Sequence, residues 1–200
     1  MASSLFTNRN SFLIPLVGLL SVHFAALDVA GEPPSVVPSG CKFAAAAGGG
    51  TFTEDFCLSA LTGHSVGATD YGDLALFAVD LATANATATE AKIDSLLAGG
   101  DGALADCLRA CRSLYDTVVH VYQPDCHAAV KDRKFVDGKL CLRRTARAPV
   151  ECERGFEQRG VPSPVAAEDD DLAKLANLAI ALSSIASLIH PQFDTHQHIL

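Results

Sequence analysis

The chain has 200 residues, 49% of them hydrophobic, which is enough to bury the core of one domain and excludes a disordered segment. Its formal net charge of -8 makes it a poor nucleic-acid binder, because phosphate contacts need Lys and Arg. Trp is absent and Tyr numbers 3, while Ala and Leu abound, so helices are favoured over sheets.

The first element is not part of the fold. "MASSLFTNRN" carries Arg9, a short apolar run "SFLIPLVGLLSV" follows, and small residues continue through "AALDVAG". That is the layout of a secretory signal peptide over residues 1–30, with cleavage between Ala26 and Gly31. The apolar run is short of the ~20 residues that a membrane span needs, and Pro15 interrupts it. The expected destination is extracellular, and no membrane association is expected after cleavage. In an oxidising compartment the 7 cysteines read as a disulfide framework before they read as a metal site. No Cys-x-x-Cys pair exists, and the odd count leaves at least one thiol unpaired or intermolecular.

Residues 31–40 contain "EPPSVVPSG", a Pro- and Ser-rich linker without a core-forming pattern. From Cys41 to Leu61 the expectation is two short helices folded back on each other and closed by Cys41–Cys57. Closing a loop of ~15 residues is worth about 3 kcal/mol in the chain-entropy model.

Four long helices follow. The first spans Asp70 to Leu97, with Leu74, Phe77, Leu81, Ala84, Ala88 and Ala91 as its apolar seam, and "GGDG" ends it. The second starts at Ala103 with Leu104, Cys107, Cys111, Leu114, Val118 and Val121 in step; Pro124 kinks or ends it before Val130. The third covers Phe135 to Gln158, with Cys141, Thr145, Ala148, Cys152 and Phe156 on one face, interrupted by Gly138 and Pro149. Ser163 before Pro164 is a start signal for the fourth, which carries Leu172, Leu175, Ala179, Leu182, Ala186 and Ile189 and stops at His190-Pro191. Asp169, Asp170 and Asp171 suit its N-terminal turns electrostatically. The fold expected is all-α: an up-down-up-down four-helix bundle with an N-terminal helical hairpin, clipped by disulfides.

If the second and third helices turn near Asp132, Cys111 and Cys152 lie equally far from the turn to within one residue and face each other. Cys126 and Cys141 miss that register by about one helical turn, which makes them a candidate extra disulfide. Cys107 then opposes Phe156 and is the candidate free thiol. This geometry puts "VKDRKFVDGK", residues 130–139, at the tip of a hairpin.

Candidate chemistry is sparse. The chain lacks Gly-x-Ser-x-Gly, a P-loop and His-Glu-x-x-His. Asp106, Asp116 and Asp125 read as solvated helix faces, and His120 and His127 as surface histidines. His190, His196 and His198 belong to a flexible tail over residues 191–200 and its junction. No catalytic residue, cofactor or metal is expected. Asn85-Ala86-Thr87 is an N-glycosylation sequon, which falls on a predicted helix. A binding protein fits this inventory better than an enzyme.

The stretches "EDFCLSAL", "DLALFAVDLATANATATEAKIDSLL", "CRSLYDTVV", "PVECERGFEQRGVPSPV" and "LAKLANLAIAL", in this order, resemble the plant invertase and pectin methylesterase inhibitor family. The resemblance covers Cys41 to about Ile189 and implies an inhibitor domain over residues 41–190. It implies a four-helix bundle with an N-terminal hairpin, two shared disulfides at Cys41–Cys57 and Cys111–Cys152, and a partner that is pectin methylesterase or acid invertase. Cys107, Cys126 and Cys141 are extras, and the third helix is more basic than the family's. The resemblance further implies two modes of action. Pectin methylesterase inhibitors cover the substrate cleft with bundle-helix faces; invertase inhibitors insert a hairpin tip carrying Pro-Lys-Phe. Here the tip reads Arg133-Lys134-Phe135, with arginine in place of the proline. A Lys ammonium among glycosidase carboxylates gains charge-assisted hydrogen bonds, and a Phe beside it buries apolar area. On Lys134 and Phe135 the expectation leans to invertase. The alternative is a structural or signalling bundle of the same fold that has lost inhibitory activity.

Overall fold

The computed structural model describes residues 36–99 and 102–189. Residues 1–30, read above as a signal peptide, the start of the stretch read as a linker, and the C-terminal stretch with His190, His196 and His198 lie outside the described residues. Within them every regular element is a helix. The order is α1 (Val36–Ala47), α2 (Glu54–Leu61), α3 (Tyr71–Leu97), α4 (Gly102–Thr117), a π-helical turn (Val118–Tyr122), α5 (Gln123–Lys131), α6 (Phe135–Arg159) and α7 (Ala166–Ile189).

α1 and α2 form the N-terminal hairpin, tied by Cys41–Cys57 with Cα atoms 5.4 Å apart. Thr53 caps α2 by accepting the N–H of Phe56, and Glu54 and Asp55 follow in the first turn, where the helix dipole favours acids. α1 begins at Val36, inside the stretch read as linker 31–40. The correction has a simple cause: Val37 and Gly40 are buried against the bundle, so tertiary contact overrides the Pro- and Ser-rich composition.

The bundle is α3, α4 with α5, α6 and α7, the expected four-helix arrangement. α7 packs along both α3 and α6. It is the one described helix long and apolar enough to cross a membrane, yet half of its most apolar window is buried inside the bundle. Two layers of core follow along the axis. One gathers Leu74, Val79, Val130, Phe135, Leu178 and Leu182; the other gathers Ile93, Leu108, Tyr115, Phe156, Val165 and Leu172.

Three departures from the predicted seams carry information. On α3 Leu74 of the predicted seam is buried, but beyond it the buried residues include Ala75, Ala78, Val79, Ala82, Ala86, Thr89 and Ile93, whereas Ala84, Ala88 and Ala91 are exposed. An alanine-rich helix has similar hydropathy all round, so periodicity alone cannot choose its face. On the second bundle helix the flaw is absorbed before Pro124. Gln123 donates its N–H to the Val118 carbonyl, five residues back, which is the π-helical pattern. Pro124 cannot donate to His120 and its ring would crowd that carbonyl; a widened turn relieves both problems. The extra residue rotates the face, and Val121, expected inside, is half exposed. α6, by contrast, runs unbroken through Gly138 and Pro149. A Cβ on Gly138 would sit 2.7 Å from Val130 Cγ2, so the glycine is what lets α5 and α6 close together.

Two further disulfides brace this hairpin: Cys111–Cys152 joins α4 to α6, and Cys126–Cys141 joins α5 to α6, with Cα separations of 4.8 and 5.4 Å. Cys107 is buried and free, its thiol directed at the Gly155 carbonyl 3.6 Å away.

Phe135 lies at the first position of α6 with only 1% of its surface exposed, in the same core layer as Leu74 and Leu178. Truncating it leaves a cavity. Phe135→Ala should lower unfolding stability by about 3–5 kcal/mol in urea denaturation, and a loss under about 1 kcal/mol would contradict the burial described.

Candidate functional site

The tip of the α5–α6 hairpin was the sequence's own candidate. α5 ends in a Schellman turn. The Arg133 N–H reaches the Val130 carbonyl at 3.0 Å, and the Lys134 N–H reaches the Ala129 carbonyl at 2.8 Å. The residue in the left-handed position is Arg133, with φ 61°. Glycine usually takes that position, and a β-carbon there costs about 1–2 kcal/mol. The side chain offsets the cost. Its Nη1 donates to Asp70 Oδ1 at 2.7 Å and its Nη2 to Asp73 Oδ1 at 2.6 Å. Both acids stand at the start of α3, where Asp70 also caps the helix by accepting the Asp73 N–H at 2.9 Å. Burial works against charge on Asp73, but the N–H and hydroxyl of Thr69 together with Arg133 outweigh it and hold the carboxyl below its ordinary range. Gly72 makes room for the guanidinium: a Cβ there would fall 1.8 Å from Arg133 Nη1.

The tip is therefore docked, and the three side chains of the target-binding set Arg133, Lys134 and Phe135 point to different places. Arg133 is committed to α3. Phe135 is committed to the core and lies under the Arg133 guanidinium, 6.0 Å from it. A proline could not substitute at position 133 in this turn, because its ring fixes φ near −65°. Lys134 alone faces solvent, 58% exposed and 3.5 Å from Asp132.

A second surface was not singled out in the sequence. Val136, Leu140, Arg143, Arg147, Val150 and Arg154 recur along α6 at steps of four and three, so they share one face over about 27 Å. The three apolar members are 63%, 54% and 60% exposed. Arg143 and Arg154 are exposed and have no acidic partner among the described residues; Arg147 meets only Glu151, at 3.3 Å. Unpaired arginines are unusual in so acidic a chain. The signal was present as the apolar and basic residues at helical spacing, but the opposite face of α6 claimed attention as the core.

Other candidates resolve differently. Asn85 sits mid-helix on α3, half-buried, with its Oδ1 out of solvent and its side chain in the groove lined by Phe56, Ser59 and Leu175. His120 approaches Glu90 and Asp116 at 3.8 and 3.9 Å, whereas His127 approaches Asp80 at 3.4 Å, so the two do not form one site. Glu90, Asp116 and His120 have ligand-like spacing, but Arg112 already fills their centre, 2.6 Å from Glu90 and 3.3 Å from Asp116. Asp169, expected in the N-terminal turns of the last helix, lies in the first turn of α7 but is buried, and it accepts a hydrogen bond from the Tyr115 hydroxyl of α4.

A family model described as plant invertase/pectin methylesterase inhibitor matches residues 40–182. No curated protein sequence matches the chain. Among solved structures, a mutant form of a pectin methylesterase inhibitor from Arabidopsis is similar with TM-score 0.63 at 19% identity, covering 76% of this chain and 97% of that one. A second structure, a pectin methylesterase inhibitor from Arabidopsis thaliana, gives TM-score 0.56 at 18% identity, with 77% and 97% covered. At such identities these likenesses speak for the helical-bundle fold. The family match spans well over half of the sequence and carries the class: the chain belongs to the plant invertase/pectin methylesterase inhibitor family, whose members are protein inhibitors rather than catalysts.

Proposed function

We propose that this protein is a secreted inhibitor of pectin methylesterase that engages the enzyme through the outward face of α6. The observation that carries the choice of target is the burial of Phe135 at 1% exposure, with Arg133 tied to Asp70 and Asp73. An invertase plug would need both side chains withdrawn from the fold, at the cost of a core cavity and two broken ion pairs. The α6 face, in contrast, needs no rearrangement. Exposed Val and Leu interleaved with Arg is the composition of a protein–protein interface, apolar anchors with charges that steer and orient the partner. Aromatic side chains, on which sugar rings stack, are missing from it, which favours a protein surface over a polysaccharide. The arginines call for acidic groups on the partner. The invertase reading retains one support, the exposed Lys134 at the tip.

The reading is tested by titrating the purified protein, freed of its signal segment, against a plant pectin methylesterase and an acid invertase at apoplast-like acidity. Saturable inhibition of the esterase at equimolar protein is expected. Inhibition of invertase alone would overturn the choice of target, and inhibition of neither at micromolar protein would favour a bundle that has lost inhibitory activity.

The surface has its own test. Replacing Arg143, Arg147 and Arg154 by Glu should weaken esterase inhibition by at least about tenfold, with a smaller salt dependence. Lys134→Ala should leave it unchanged. The reverse pattern would move the interface from α6 to the tip.

A further inference from the structure

Where the N-terminal end of α7 meets α6, the interface is not apolar. Asp169 of α7 is 2% exposed, and its Oδ1 accepts the Tyr115 hydroxyl from α4. Its Oδ2 is buried without a donor among the described residues, and so is Oε1 of Glu153 on α6. Oxygens of the two carboxyl groups lie within 4.8 Å of one another, at the inner wall of an open groove of about 400 Å³ between the helices. The third group in this cluster, Cys152, is already bonded to Cys111 and offers no thiolate.

Among the described residues, no cation bonds either orphaned oxygen. Lys92 of α3 is taken by the neighbouring Glu168, at 2.6 Å. Arg154 and Glu157 of α6 and Asp170 of α7 line the groove, and Asp170 is engaged by Lys174. Two ionised carboxylates so placed would repel each other and leave two buried acceptors without donors. One proton between them turns the same pair into a donor and an acceptor, and satisfies both oxygens at once.

We propose that Glu153 and Asp169 share one proton across the α6–α7 interface and form an acid-dependent clamp on these two helices. Burial first, and then Glu153 beside it, pushes the Asp169 carboxyl up from 3.8 to about 8. The sign of the effect follows. Between these values the folded chain keeps the proton while the unfolded chain has lost it, so the clamp's stabilisation is complete below about pH 4 and drains away as the pH rises towards about 8. Glu168, lowered by its bond to Lys92, and Asp73 act in the opposite sense, but only at and below the ordinary carboxylate range. The interval from about pH 5 to about pH 8 therefore reports the clamp. It favours a fold that is tightest in an acidic compartment.

The experiment compares melting temperatures of the intact disulfide-bonded protein and two amide variants across that interval. In Asp169→Asn the amide can donate to Glu153 while its oxygen still accepts from Tyr115; in Glu153→Gln the amide can donate to Asp169. The wild type should lose about 5 °C more than Asp169→Asn between about pH 5 and about pH 8, and Glu153→Gln, in which Asp169 is still buried, should fall between them. Every other ionisable side chain is common to all three proteins, so the difference between the slopes is the measured quantity. Equal slopes in all three would overturn the proposal. So would failure of both variants to fold at about pH 5, because each amide copies the protonated acid. A calcium-dependent rise in the wild-type melting temperature at about pH 8, absent in Asp169→Asn, would also overturn it, by placing a divalent cation where the proton is assigned.

Discussion

Arg133 reaches from the turn between α5 and α6 to Asp70 and Asp73 at the head of α3. The rest of this end of the bundle depends on that contact. It holds a non-glycine residue in the left-handed turn that lets α5 stop and α6 start within a few residues. It sets Phe135 at the first position of α6, where the ring drops into the core instead of into solvent. It requires Gly72, because any side chain there would occupy the space of the guanidinium. The ion pairs are half-exposed, so their Coulombic worth is modest. Their importance is geometric: they choose which way the turn faces.

That choice shifts the functional surface. Of Arg133, Lys134 and Phe135, a docked tip presents mainly Lys134, whereas the long α6 helix presents an uninterrupted outward face with exposed Val and Leu, with Arg147 beside Glu151, and with Arg143 and Arg154, which have no acidic partner among the described residues. α6 thus has two opposed duties. Its inner face carries Leu142, Ala148, Cys152 and Phe156 and is anchored by two disulfides. Its outer face is free to meet a partner without moving the core. Glu153 lies between the two, next to Val150 and Arg154 in the groove against α7. The protonation state of one buried pair is therefore set close to the surface proposed for docking.

Much of the fold is legible in the sequence. α7 announces itself by Leu172, Leu175, Ala179, Leu182 and Ala186 at steps of three and four, all of them buried, although Ile189, the last of that seam, is 55% exposed. The α4–α6 pairing was legible from Cys111 and Cys152, which are equidistant from the turn. Other features were invisible for physical reasons. The alanines of α3 hardly differ in hydropathy from face to face, so its seam was misplaced beyond Leu81. A π-helical turn has no residue signature, and it rotated Val121 outward. Asp169 looked like any first-turn acid, because its burial depends on Tyr115, 54 residues away in sequence.

The sequence by itself determined the class of this protein: an all-helical bundle with a helical hairpin in front, and, through the order of its motifs, membership of an inhibitor family. Those properties rest on local periodicity and on residues whose spacing along the chain is their meaning. Only the tertiary structure decided what the tip does. Arg133, Lys134 and Phe135 are adjacent in sequence, yet one is clamped to α3, one faces water and one fills the core. Which of these fates each side chain meets depends on Asp70, Asp73 and Gly72, some sixty residues earlier, brought to the turn by the packing of α3.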